Sequence, residues 1–236
     1  ANGLNAVGAS PIMSEEESEA EELVRLASAV TINLGAVRRE GWADIETLCQ
    51  AANDQQKSLV LDPVAVGATQ YRQQLNFRLL KKYHFDVIRG NLGEIAVLAG
   101  IDWQTRGIDA GNGDGDAHQV VKACAQKYHN VVIASGATDY ISDGTRVVEI
   151  HNQTRLLPAV VGSGDLLSSL AAAFCAVEPN PLQAAINASL TLSCAGERVA
   201  EKLHDQYLPG SFLNGLMDEL ANITVAQVEE RMKVEE

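Results

Sequence analysis

Of 236 residues, 46% are apolar, enough to fill a core and too many for a disordered chain, and this length is ordinary for one α/β unit. Eighteen Lys and Arg stand against thirty-one Asp and Glu, a formal charge of −13; this argues against a nucleic-acid partner and requires any polyanion site to be local, built from amides and a few cations. No apolar run approaches the roughly 18 residues of a membrane span, and no basic-then-apolar opening marks a secretory signal.

The chain starts abruptly at Ala1, without an initiator Met, as though in the middle of a fold; Ser10-Pro11 turns it, and Met13 emerges as a candidate pocket residue. Ser14 followed by Glu15 to Glu17 predicts a helix start, with Leu23, Leu26, Ala27 and Val30 as its apolar face. Residues 29–34 read as a buried strand ending at Gly35, and 42–56 as a helix with Ile45, Leu48, Cys49 and Ala52 on one side. Ser58 to Pro63 is an apolar strand delivering Asp62 at its end, followed by a loop over 64–68 and a helix over 71–83. A strand over 86–91 carries Arg89 near its end, and Glu94 opens a helix to Leu98. Residues 101–116, rich in Gly and Asp, read as a loop or flap. A helix over 117–128 and a strand over 130–135 follow, then Asp143-Gly144 between β-rich runs, a strong hairpin signal. Residues 181–203 and 211–220 read as amphipathic helices, and 225–236 as a charged terminal helix.

Strands alternating with helices indicate parallel βαβ units, whose ligands bind beyond the carboxyl ends of the strands. Asn33-Gly35, Asp62-Pro63, Arg89-Asn91, Ser135-Gly136 and Gly162-Asp165 all fall on that rim, in one α/β domain spanning 1–236 with no internal repeat. The four cysteines, Cys49, Cys124, Cys175 and Cys194, form no metal-ligand spacing and read as structural thiols in a reducing cytoplasm.

The stretch Val160-Val161-Gly162-Ser163-Gly164-Asp165-Leu166-Leu167-Ser168 carries the chemistry. Two glycines let backbone approach a ligand, and the amides from Gly162 to Asp165 would point outward from a helix N-terminus, where an anion is favoured. Asp165 would stand beside a bound phosphate as a base, which suits phosphoryl transfer to a hydroxyl. The bland alternative is that Ser163 or Asp165 merely caps the helix.

With Gly8-Ala9-Ser10-Pro11-Ile12-Met13, Ile32-Asn33-Leu34-Gly35, Leu61-Asp62-Pro63-Val64-Ala65-Val66-Gly67-Ala68, Ile88-Arg89-Gly90-Asn91, Asp139-Tyr140 to Gly144, and Pro209-Gly210-Ser211-Phe212, the chain resembles the hydroxyethylthiazole kinase family. The match runs in order over nearly its whole length. That resemblance implies a ribokinase-like three-layer fold, with a mostly parallel central sheet flanked by helices and a small β-hairpin. It implies ATP-dependent phosphorylation of 4-methyl-5-(2-hydroxyethyl)thiazole with Mg2+, in a cytoplasmic homotrimer holding the thiazole alcohol between subunits. By position, Met13 and Gly162 look like substrate contacts, with Asn33 and Gly35 as weaker ones. Arg89, Ser135, Ser163 and Gly164 look like ATP contacts, Asp62 and Glu94 like the acids nearest the metal, and Asp165 like the base.

Three departures stand out. Asp165 replaces the Cys that many members carry. The usual Thr-Gly-Glu is Ser135-Gly136-Ala137, one acid fewer, and Asn-Ala-Ser-Glu is Asn91-Leu92-Gly93-Glu94. The family also has a strand before the point where this chain starts. The rival readings are another ribokinase-like enzyme (a hydroxymethylpyrimidine kinase or an NAD(P)H-hydrate dehydratase) and a regulator that binds nucleotide or thiazole without catalysis.

Overall fold

The computed structural model describes residues 1–14, 16–102 and 114–236. Most of the stretch expected as a loop or flap lies outside the described residues, and its last three positions belong to a helix.

Four parallel strands stand side by side in chain order: β1 (Ala29–Asn33), β2 (Ser58–Asp62), β3 (Val87–Asn91) and β4 (Val131–Ser135). The register sets Asn33 opposite Asp62 and Asn91 opposite Ser135, so the polar ends expected on one rim share it. Three antiparallel strands extend the sheet, β5 (Asp139–Ser142), β6 (Val147–Ile150) and β7 (Val234–Glu235). The predicted hairpin joins β5 to β6. Gly144 takes φ +88° there, and Asp143 Oδ1 accepts the amides of Thr145 and Arg146.

Parallel neighbours joined by right-handed crossovers put their connecting helices on one face. That face carries α2 (Ala20–Leu26), α3 (Trp42–Asp54), α4 (Gln70–Lys82), α5 (Leu92–Ala99) and α6 (Asp114–Tyr128), packed on Ile32, Leu59, Leu61, Ile88 and Val132. The opposite face carries α7 (Ser163–Cys175), α8 (Pro181–Lys202) and α9 (Pro209–Leu220), packed on Val60, Val87, Val131 and Ile133. Strand alternation thus splits the core into two layers around the sheet, the expected three-layer arrangement. It also decides the site, because Asp62, Arg89 and Ser135 share the parity of Val60, Val87 and Ile133 and face α7.

Two expectations needed correction. The first long helix is preceded by a 3₁₀ turn at Glu17–Glu19 and buries Ala20 and Val24, whereas Leu26 is 75% exposed. The helix ends at Leu26 and Ala27 is already extended (ψ 151°), so an apolar stripe counted through Val30 runs past its end. A short helix, α1 (Asn2–Ala6), occupies the opening, with Gly3 packed against Leu166 of α7. The tail is helical only as α10 (Val225–Arg231), closed by a Thr224/Gln227 capping box, after which β7 joins the sheet.

The four cysteines are unpaired. Burial pushes Cys49, Cys124 and Cys175 up to about 12, and Cys194 to about 11, the inert condition expected of structural thiols.

Candidate active site

The start of α7 is unusual in what it lacks. Gly162 precedes it in the left-handed region (φ +89°), a conformation that glycine adopts without steric cost, and no side chain caps the helix. The Ser163 amide turns back to Val160 O at 3.3 Å, and Leu166 N–H starts the helical ladder on Gly162 O at 2.9 Å. Among the described contacts, the amides of Gly164 and Asp165 have no backbone or side-chain acceptor. Uncapped N–H groups at the positive end of a 13-residue helix form an anion cradle. The capping reading of Ser163 and Asp165 is thereby excluded.

Arg89 stands over this cradle. A Cβ added at Gly164 would lie 2.8 Å from the Arg89 Cζ and closer still to its terminal nitrogens, so only glycine lets the guanidinium lie on the helix backbone. Arg89 Nη2 donates to the Ser135 hydroxyl, and Nη1 lies 3.5 Å from Asp62 Oδ2. Asp62 is 1% exposed and accepts the Ser168 hydroxyl at 2.6 Å. Burial raises the Asp62 carboxyl above its usual range, against the lowering effects of Arg89 and Ser168 and with Asp165 and Glu94 adding repulsion. Arg89 Nε is buried without a partner, so this cation is held by one acid and one hydroxyl and has donor capacity left for a ligand.

On the other side of the cradle, Asp165 and Asn33 meet. Gly35 N–H donates to Asn33 Oδ1 at 2.9 Å, which turns the amide so that Nδ2 donates to Asp165 Oδ1 at 3.0 Å. Arg72, from α4, fixes the loops beneath by donating to the carbonyls of Leu34, Gly35 and Val64. Asn33, expected as a substrate contact, therefore holds the carboxylate that would act as base. Gly35 supplies the amide that orients Asn33.

Glu94 has two backbone partners. Oε2 accepts the Asn91 amide at 2.8 Å, closing a capping box on α5, and Oε1 accepts the Ala65 amide at 2.7 Å. Ala65 sits at φ +56°, so Glu94 fastens a strained turn just beyond Asp62. Among the described residues no three His, Cys, Asp or Glu side chains cluster to hold a metal. Asp62 and Glu94 are the acids that could hold a cation of the magnesium type, which keeps several waters and relies on substrate phosphates.

A cleft of about 1260 Å³ opens from the cradle, and all four residues expected to contact nucleotide, Arg89, Ser135, Ser163 and Gly164, line it. Asp139 lines it too, accepting the Gly136 amide at 3.0 Å; burial lifts its carboxyl to about 6, opposed by that amide and by the Arg89 charge. Sequence reasoning missed Ser168 and Asp139 as site residues. Ser168, one helical turn past Gly164, could have been found from its spacing, and Asp139 stands inside a quoted motif. Met13 is not brought to Asp165 by any described contact and is 80% exposed. Gly162 serves as the hinge into the cradle.

The model of the hydroxyethylthiazole kinase family matches residues 1–226. A hydroxyethylthiazole kinase of Pediococcus pentosaceus is 71% identical over 236 residues, covering 100% of this chain and 89% of the relative. The structure of a hydroxyethylthiazole kinase protein from Pyrococcus horikoshii superposes with a TM-score of 0.90 at 36% identity, covering 100% of this chain and 87% of that one. The pyridoxal kinase of Staphylococcus aureus in complex with pyridoxal matches with a TM-score of 0.58 at 17% identity, over 83% of this chain and 79% of its own, which shows the fold alone.

Proposed function

The chain belongs to the hydroxyethylthiazole kinase family and is a thiazole kinase of thiamine biosynthesis; we propose that ATP is its donor and that the rim around α7 performs the transfer. Family membership removes the rival readings as another ribokinase-like enzyme or a catalytically dead regulator. The single observation that carries the site assignment is the uncapped N-terminus of α7 with Arg89 lying over Gly164.

In this reading the primary alcohol of hydroxyethylthiazole attacks the γ-phosphorus of ATP. The new O–P bond forms as the bond to the β,γ-bridging oxygen breaks, ADP leaves, and the alcohol proton passes to Asp165. A carboxylate is a weak base, which suffices where the transition state is loose and the proton leaves late. Asn33 holds one carboxylate oxygen, so the other faces the alcohol. Charge on the transferring group is met by the Gly164 and Asp165 amides and by Arg89, already oriented before substrate arrives. Ser135 and Ser163 complete the phosphate contacts. Asp62 and Glu94 are the acids that would hold a divalent cation bound with ATP, which would supply positive charge against the phosphates.

We read residues 1–236 as one kinase domain acting in the cytoplasm. Ile12 and Met13 are 51% and 80% exposed, and Val161, beside Gly162, is fully exposed. Apolar side chains left bare, one of them beside Gly162, support a homotrimer in which a neighbouring subunit closes over the thiazole, with Met13 and Gly162 as its contacts. The test is ADP release from Mg-ATP with and without hydroxyethylthiazole. Release that requires the thiazole is expected; ATP binding with no thiazole-dependent release would reject the assignment.

A further inference from the structure

The cleft that starts at the Gly164 cradle is larger than phosphates need, and its far wall is built by Glu230, Arg231, Met232 and Lys233. These residues lie beyond 226, where the match to the family model stops. They are held firmly. Val234 and Glu235 pair with Ile150 and Glu149 of β6, and His151 N–H donates to Lys233 O at 2.9 Å. Asn152 grips the segment twice, with Nδ2 donating to Arg231 O at 2.9 Å and Oδ1 accepting Lys233 N–H at 2.7 Å.

The cations of this segment are already matched. Arg231 donates to both carboxylate oxygens of Glu201, at 2.6 and 2.7 Å, and Lys233 Nζ to Glu197 at 2.8 Å, both acids standing on α8. Neutralised in this way, these cations are poorly placed to serve as phosphate ligands. What remains for a ligand is Met232, 49% exposed, on a cleft that Leu157, Pro158 and Leu192 also line. One end of the cleft thus suits a polyanion, and the other offers a thioether and aliphatic side chains, surfaces that take a flat aromatic ring.

We propose that the segment 231–233, which joins α10 to β7, is the base-binding wall of the donor site, with Met232 packed against the purine ring of the nucleoside triphosphate. This rests on reading the Gly164 end as the phosphate cradle. Binding of a non-hydrolysable ATP analogue and of inorganic tripolyphosphate, measured by calorimetry, tests it on the full chain, on Met232→Ala and on a chain lacking 232–236. The expected result is an analogue Kd raised about fivefold by Met232→Ala and at least about tenfold by the deletion, with the tripolyphosphate Kd unchanged. Met232 is partly exposed, so its substitution keeps the test valid if the shortened chain does not fold. An unchanged analogue Kd in Met232→Ala overturns the proposal. Equal weakening of both ligands also overturns it, because the tail would then only support the fold. A full chain that binds neither ligand overturns the cradle reading as well, whereas tripolyphosphate binding by the full chain keeps that reading separate.

Discussion

The two sides of the cradle hold their charges in opposite ways. On the donor side, Arg89 and Asp62 are nearly or fully buried, 3.5 Å apart, and locked by the hydroxyls of Ser135 and Ser168. On the acceptor side, Asp165 and Asn33 are exposed and joined by one hydrogen bond between a carboxylate and a neutral amide. A buried charge is oriented in advance and costs desolvation, which suits repeated binding of one polyanion. An exposed carboxylate held by a neutral partner keeps its direction without neutralising its charge, which suits a base that must accept a proton.

The largest expected effect separates the two sides outright. Asp165→Asn removes the proton acceptor and leaves the cradle amides and Arg89 in place, so kcat should fall by about 10²–10⁴ while the KM for ATP changes little. Steady-state kinetics with each substrate varied in turn checks this, and unchanged turnover would reject Asp165 as base.

Gly164→Ala addresses the donor side. The added methyl meets the Arg89 guanidinium, and either Arg89 leaves its place beside Ser135 and Asp62 or the helix start shifts. Loss of one oriented donor in such a site costs on the order of 10² in rate, so kcat/KM for ATP should fall by about that factor, with thiazole affinity retained. Equal losses for both substrates would mean that the two sides are one unit, and the comparison would collapse.

How far these sides could be read from sequence also differs. The residues proposed for the donor side were placed on the rim because they lie at or near the ends of apolar strands; the register of the sheet then shows Asp62, Arg89 and Ser135 facing α7. Asn33 was placed on the rim for the same reason and expected as a substrate contact, and its hydrogen bond to Asp165 was not foreseen. Its partner lies 132 residues away, and no local pattern encodes that pairing. The tail failed similarly: a charged helix is what 225–236 suggests locally, but the bonds that turn its end into a strand come from Asn152 and β6.

Asn33→Asp sharpens the acceptor side with a smaller effect. The substitution removes the donor that orients the Asp165 carboxylate and sets a repelling carboxylate beside it, so kcat should drop about tenfold. An unchanged kcat would show that Asn33 does not act through Asp165. The ATP KM serves as the internal control.

The smallest effect concerns what the donor side costs in stability. Burial lifts Asp139 to about 6 from 3.8, so between those values the folded chain holds a proton that the unfolded chain has released. Stability from this group is fully present below 3.8, declines as pH rises through 6, and stays low above. Arg89 and the Gly136 amide reduce the deficit without cancelling it. Asp139→Asn keeps an oxygen to accept the Gly136 amide and removes the charge. Its Tm should therefore exceed that of the native chain by a few degrees at pH 8, with the gain closing near pH 4. Thermal melts at the two pH values check both the sign and the window. A gain of equal size at pH 4 would trace the effect to packing, and a lower Tm at pH 8 would mean that the Asp139 carboxylate is needed to hold Arg89 over the cradle.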